Sequence, residues 1–123
     1  MTKIVIIEDD PTISQMYRMK FEADGFDVRM AANGRIGVDT VKSFRPDIIL
    51  LDIQMPEMDG AEALEQIRAD EASKQTPVIV LTNLGEEEAP AEMRLMGIHS
   101  YIVKANYTPR QVVAKVKEAI AEN

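Results

Sequence analysis

The sequence predicts an α/β domain: a doubly wound, five-stranded parallel sheet held between two layers of helices. Three observations lead there. Five short apolar runs, "KIVIIE", "DVRMAA", "DIILL", "PVIVLT" and "SYIVK", are separated by longer segments, several with apolar residues at helical spacing. Most runs are continuous rather than alternating, which marks strands covered on both faces and therefore paired in parallel. A chain of 123 residues, 46% hydrophobic and 28% charged, suits one globular domain with a core of its own. Right-handed crossovers between the strands then close a three-layer sandwich.

The first strand covers 3–8, and the helix over 12–23 places Ile13, Met16, Tyr17, Lys20 and Phe21 at helical spacing. A weaker strand over 27–32 precedes a helix from Arg35 to Phe44 that buries Val38 and Val41. Pro46 stops that helix and leads into the third strand, 47–51. The third helix runs from Gly60 to Ala69 with Ala61, Leu64 and Ile67 inward. In the fourth strand, 77–82, Pro77 takes the first position, where a missing donor does least harm. The fourth helix is expected to be short, from Glu87 to Met96, because Pro90 fits only a first turn. The fifth strand is 100–104. The last helix starts with Pro109 at its first position and turns Val112, Val113, Val116 and Ile120 to one side.

The absence of cysteine excludes a disulfide framework and a thiolate metal site. The opening "MTKIVIIEDD" is neither a signal peptide nor a membrane span, so a cytoplasmic protein with no membrane partner is expected. A net charge of −7, with no Lys/Arg cluster, argues against direct binding to nucleic acid. The acids suit a cation or a basic partner, although solubility accounts for most of them.

A parallel sheet delivers every strand's carboxyl end to one rim, and ligands bind there at the crevice where the winding reverses. Those ends are "EDD" (8–10), Asp52, Thr82 and Lys104. If the strand order is 2-1-3-4-5, Asp9 faces Asp52 across the crevice. Singly, each residue has a duller explanation: a helix cap for an acid, β-propensity for a threonine, a solvated end for a lysine. Jointly these strain, because adjacent carboxylates are costly unless a cation or a proton relieves them. An all-oxygen cluster suits Mg²⁺, with Mn²⁺ as an alternative. Lys104 can then pair with Asp52 at rest and with a phosphoryl oxygen later, and Thr82 can donate to another. With no Ser–His pair available, Asp52 is the natural nucleophile, forming an acyl phosphate.

With "IIEDDP", "LLDIQMPEMDG", "VIVLT" and "YIVKA" in these places, the chain resembles the receiver domain of bacterial two-component response regulators over essentially its whole length. The resemblance implies the flavodoxin-like strand order 2-1-3-4-5. It implies Asp52 as phosphoacceptor, Asp9 as a direct Mg²⁺ ligand, Glu8 as a ligand through water, and the backbone carbonyl of Gln54 as a further ligand. Thr82 and Lys104 match the phosphoryl-sensing pair, and Tyr101 matches the aromatic that turns inward with the threonine. Met55, Pro56, Asp59 and Gly60 match loop-shaping positions, and Asp10 lies outside the acidic pair. Gln54 and Leu84 lie where the family tunes dephosphorylation.

The implied donor is a phosphohistidine on a sensor histidine kinase or phosphotransfer protein. The implied output is a changed face of fourth helix, fifth strand and fifth helix, offered to a downstream protein. Two departures stand out. Asn83 is larger than the family's usual residue after the threonine and is expected to narrow access to Asp52. Ala105 replaces the usual cis-proline; a cis bond there would cost about 2.5–4 kcal/mol, so either packing bears that cost or the bond is trans.

Residues 1–123 are expected to form one receiver domain with no output domain in this chain, whether because the regulator stands alone or because an effector was removed. His99, the one histidine, is expected at the surface, the eight methionines as core filler, and "GEEEAPAE" (85–92) as a solvated helix start. Gln54 stands where a haloacid-dehalogenase-type phosphatase needs a second aspartate, which excludes that reading. No dinucleotide fingerprint or P-loop follows the first strand. The competing class is a receiver-shaped interaction module that works without phosphorylation. The complete set Asp9, Asp52, Thr82 and Lys104 weighs against it.

Overall fold

The computed structural model describes every residue except Pro56, Glu86, Glu87 and Asn123. Its strands are β1 (Lys3–Ile7), β2 (Asp27–Ala31), β3 (Ile48–Leu51), β4 (Val78–Thr82) and β5 (Ser100–Val103). Between and after them run α1 (Pro11–Ala23), α2 (Gly34–Phe44), α3 (Gly60–Ala69), α4 (Ala91–Leu95) and α5 (Pro109–Ala121). All four strand pairings are parallel, in the order β2-β1-β3-β4-β5, as the sequence predicts. β1 and β3 therefore lie side by side at the centre, with Ile7 in register with both Ala31 and Leu51.

Alternate residues of these strands enter two separate apolar layers, which is why the runs are apolar throughout. Ile4, Ile6, Ile48, Leu50, Ile79 and Leu81 face α1 and α5, where Phe21 meets Phe26 edge to face with ring centres 5.0 Å apart. Val5, Ile7, Ile49, Leu51, Val78 and Val80 face the other way, onto Val38 and Val41 of α2, Leu64 and Ile67 of α3, and Met93 of α4. Met93 is the one methionine in the core proper. Met30, Met55, Met58 and Met96 pack at its margin, whereas Met1, Met16 and Met19 are exposed, so only part of the methionine content is filler.

Helix starts are set by side chains that satisfy otherwise orphaned amides. Asp10 accepts from Thr12 and Ile13 at α1 (2.9 and 3.2 Å), Asn33 from Ile36 at α2 (2.8 Å) and Asp59 from Glu62 at α3 (3.0 Å). At α5, Thr108 and Gln111 form a reciprocal capping box behind Pro109. The fourth helix departs from expectation: it is five residues long, and Pro90 is its N-cap rather than part of its first turn. Proline disfavours helical backbone at the residue before it, so the helix cannot run back through Ala89. Glu87, the expected start, lies outside the described residues. Strand β5 ends at Val103, and Lys104–Asn106 form a single 3-10 turn.

Candidate functional site

The central strands end on acids whose main chains belong to the sheet. The Asp52 amide donates to the Ile7 carbonyl at 3.0 Å and the Glu8 amide to the Ala31 carbonyl at 3.0 Å, so both residues extend the ladder by one step. Glu8, Asp52 and Thr82 are buried polar residues, while Asp9 is exposed. One carboxylate oxygen each from Glu8, Asp9 and Asp52 can be chosen so that all lie within 4.8 Å of one another. Three carboxylates at such spacing form a donor set that suits a small hard divalent cation. Asp10 is not one of them, because its carboxylate caps α1.

Lys104 reaches this cluster from the end of β5. The expected pair with Asp52 is present, with Nζ 3.5 Å from Oδ2, and Nζ also bonds to Glu8 Oε1, a partner the sequence did not suggest. Glu8 gains a further donor in the Asp10 amide, at 3.1 Å. The reason is geometric: Glu8 follows β1 and Lys104 follows β5, on either side of the β3 end that carries Asp52, and both side chains are longer than that of Asp52. No cis peptide occurs among the described residues, so Lys104–Ala105 is trans and still delivers the ammonium.

Burial pushes the Glu8 carboxyl up from its ordinary value, against hydrogen bonds from Lys104 and the Asp10 amide, with the neighbouring Asp52 charge adding to the rise. For Lys104, burial works to lower the ammonium, but the Glu8 hydrogen bond and the charges of Asp52 and Glu8 outweigh it and hold the group above its ordinary value. One ammonium therefore serves an acidic cluster that outnumbers it.

The loop after Asp52 is shaped by main-chain contacts. The Gly60 amide donates to the Ile53 carbonyl at 2.8 Å, and the Gly34 amide to the Met58 carbonyl at 3.2 Å. A side chain on Gly60 would place its Cβ 2.4 Å from the Asp52 carbonyl oxygen, so only glycine lets α3 begin this close to the acid. Gln54 is exposed, and its amide approaches Asp52 Oδ1 at 3.4 Å. Pro56 lies outside the described residues.

On the other flank, buried Thr82 accepts from the Leu84 amide at 3.4 Å. The Tyr101 hydroxyl donates to the carbonyls of Leu84 (3.0 Å) and Gly85 (3.3 Å), and both Tyr101 and Leu84 pack against the core layer under α3 and α4. Tyr101 thus holds the loop that Thr82 begins. Asn83 between them is exposed. His99 sits at the surface with Nε2 2.6 Å from Glu122 Oε2, away from the acids.

A sequence profile described as "Response regulator receiver domain" matches residues 4–117. The chain belongs to this family. The receiver is 36% identical to the regulatory protein AtoC of Escherichia coli over 102 residues, covering 83% of this chain and 22% of that protein. It is 36% identical to the transcriptional regulatory protein SrrA of Staphylococcus aureus over 115 residues, 94% of this chain and 46% of that one. The chain thus spans less than half the length of these two relatives. Among solved structures it matches the chemotaxis protein CheY4 of Vibrio cholerae with a TM-score of 0.88 and 28% identity, covering 96% of this chain and 98% of that one. No helix among the receiver's described residues is long and apolar enough to cross a membrane.

One contributor was invisible in the sequence. Arg68 lies in the last turn of α3, where a basic residue complements the helix dipole. In the fold it is half-buried and bonds to four main-chain carbonyls.

Proposed function

We propose that the receiver is a phosphorylation switch in which Asp52 accepts a phosphoryl group from a phosphohistidine on a sensor histidine kinase or phosphotransfer protein. The observation that carries this is the meeting of Glu8, Asp9 and Asp52 with Lys104 and Thr82 at one rim, an arrangement no structural role requires. A carboxylate oxygen of Asp52 attacks phosphorus in line, the P–N bond to the donor imidazole breaks, and an acyl phosphate forms. Mg²⁺ or Mn²⁺, held by Asp9, Asp52, the Gln54 carbonyl and Glu8 through water, would supply charge neutralisation for the transferring group. Lys104 is already within 3.5 Å of Asp52 and can turn from Glu8 to a phosphoryl oxygen, and the Thr82 hydroxyl donates to another.

The receiver acts on itself rather than on a turned-over substrate, and the same groups serve its dephosphorylation, tuned by Gln54, Asn83 and Leu84. Modified Asp52 carries extra charge and strong acceptors. Thr82 moves to meet them, Tyr101 follows, and the face of α4, β5 and α5 changes for a downstream protein. Driving that change from almost off to almost on takes about 5.5 kcal/mol of differential stabilisation. We read residues 1–123 as one receiver unit acting in the cytoplasm, with direct partners that are proteins rather than nucleic acid or membrane.

The test is intact-mass measurement after incubation with acetyl phosphate and Mg²⁺. One phosphoryl adduct is expected, lost with a chelator and in Asp52→Asn. No adduct, or an undiminished one in Asp52→Asn, overturns the reading. Mg²⁺ titration separates the interaction-module alternative, which has no use for the ion.

A further inference from the structure

The helix that carries the proposed signal is held very differently at its two ends. At the C-terminal end of α4, Arg68 reaches across from α3. Its Nε donates to the Met96 carbonyl at 2.9 Å and its Nη2 to the Gly97 carbonyl at 2.9 Å. Its Nη1 donates to the carbonyls of Ser73 (3.0 Å) and Thr76 (2.8 Å) in the loop entering β4. The loop that receives these bonds is itself fixed, because the buried Ser73 hydroxyl donates to the Ile67 carbonyl at 2.6 Å. Gly97 supplies the positive φ of 77° that turns the chain from α4 into β5. Four charge-assisted bonds from one planar cation thus join three segments: the end of α3, the entry to β4 and the exit from α4.

At the other end of α4 the described residues show a different attachment. Its N-cap is Pro90, which makes no side-chain capping bond, and the loop before it is tied back through the Tyr101 hydroxyl. That hydroxyl belongs to the residue proposed to move with Thr82. Near the middle of the helix, fully buried Met93 seats it on the core.

We infer that Arg68 is a positioning residue of the switch: it pins the C-terminal end of α4, so that motion at Thr82 reaches the helix only from its N-terminal end and swings it about a fixed point. This rests on the reading of Asp52 and Thr82 given above, but the pin itself exists in the unmodified protein. A loose helix would slide as a body and dissipate the motion at both ends. A pinned one converts it into rotation, largest near Pro90 and least at Gly97.

Amide exchange and chemical shifts measured by NMR on the full chain test this, first unmodified and then with beryllofluoride and Mg²⁺ as phosphoryl mimic. In the unmodified protein, Arg68→Gln is expected to accelerate exchange of the Met96, Gly97 and Thr76 amides at least about tenfold beyond any change at Ile6 and Leu50. Arg68→Lys, which keeps a cation but not the planar fork, should fall between. On modification of the parent, the amides of Asn83, Leu84, Gly85 and Ala91 should shift while those of Met96 and Gly97 stay. In Arg68→Gln the shifts should spread to both ends.

A purely structural arginine would change overall stability and leave that pattern as in the parent. The inference is overturned if Gly97 responds as strongly as Leu84 in the parent, or if exchange in Arg68→Gln rises equally everywhere. Should a variant fail to fold, the parent's pattern decides alone. Should the mimic shift no amide at all, the phosphoacceptor reading has failed, and the pin is judged on exchange in the unmodified protein.

Discussion

Replacing Lys104 by methionine isolates the electrostatics of the rim. The parent ammonium is shared between Glu8 and Asp52, and all three side chains are nearly enclosed: Lys104 is 12% exposed, Glu8 3% and Asp52 8%. Methionine keeps most of the stem and removes the charge. Oxygens of Glu8 and Asp52 then face each other within 4.8 Å with no cation between them. At an effective dielectric constant of about 20 their repulsion is about 3 kcal/mol, the lower edge of the roughly 3–5 kcal/mol that unpairing a buried ion pair costs.

In urea with a chelator, Lys104→Met should therefore lose about 3 kcal/mol, a midpoint shift of about 2 M at a slope of about 1.5 kcal/mol/M. With Mg²⁺ at about 100 times its dissociation constant the parent gains about 2.7 kcal/mol. The variant gains more, because no ammonium competes for the same oxygens, and the difference should shrink to about 1 kcal/mol or less. A loss that is the same with and without Mg²⁺ would refute the shared-cation argument. So would a loss below about 1 kcal/mol in chelator, since it would mean that the pair is as weak as an exposed one.

Three further outcomes follow from the same geometry. Because the Glu8 carboxyl is raised in the fold, its ionised form costs stability above its folded-state value, and the cost vanishes as pH falls below the ordinary 4.5. Glu8→Gln should therefore unfold at a higher temperature than the parent at pH 7 without Mg²⁺, lose that advantage near pH 4, and bind Mg²⁺ more weakly, all readable by calorimetry. Gly60→Ala drives a Cβ against the main chain of Asp52 and Ile53, which cannot move aside; a loss of about 1–3 kcal/mol in urea unfolding and slower adduct formation by mass are expected. Tyr101→Phe removes the bonds to Leu84 and Gly85 at a cost of about 1 kcal/mol, leaves the adduct unchanged by mass, and should raise amide exchange over residues 84–85.

The sheet was legible because a strand buried on both faces has to be apolar at every position, and the runs around Ile6, Leu50 and Val80 are. The rim followed, since parallel strands bring Asp52, Thr82 and Lys104 to one edge whatever the loops between them do. What was not legible depends on reach and on main-chain atoms. Nothing in the spacing of Glu8 and Lys104, 96 residues apart, says that their side chains meet beside Asp52. Arg68 binds carbonyls, which every residue carries, so no sequence pattern marks its partners. The shortness of α4 was half legible: Pro90 signalled a boundary, but its place as cap rather than first turn is decided by the backbone of Ala89.

The two apolar layers do unequal work. Leu84, Tyr101 and Met96 all lean on the layer beneath α2, α3 and α4, whereas the layer beneath α1 and α5, with Phe21 and Phe26, holds none of them. The sheet therefore acts as a bulkhead. One hold seats the loop that follows Thr82 and the exit from α4, and the other seats α1, α5 and the buried side of β5.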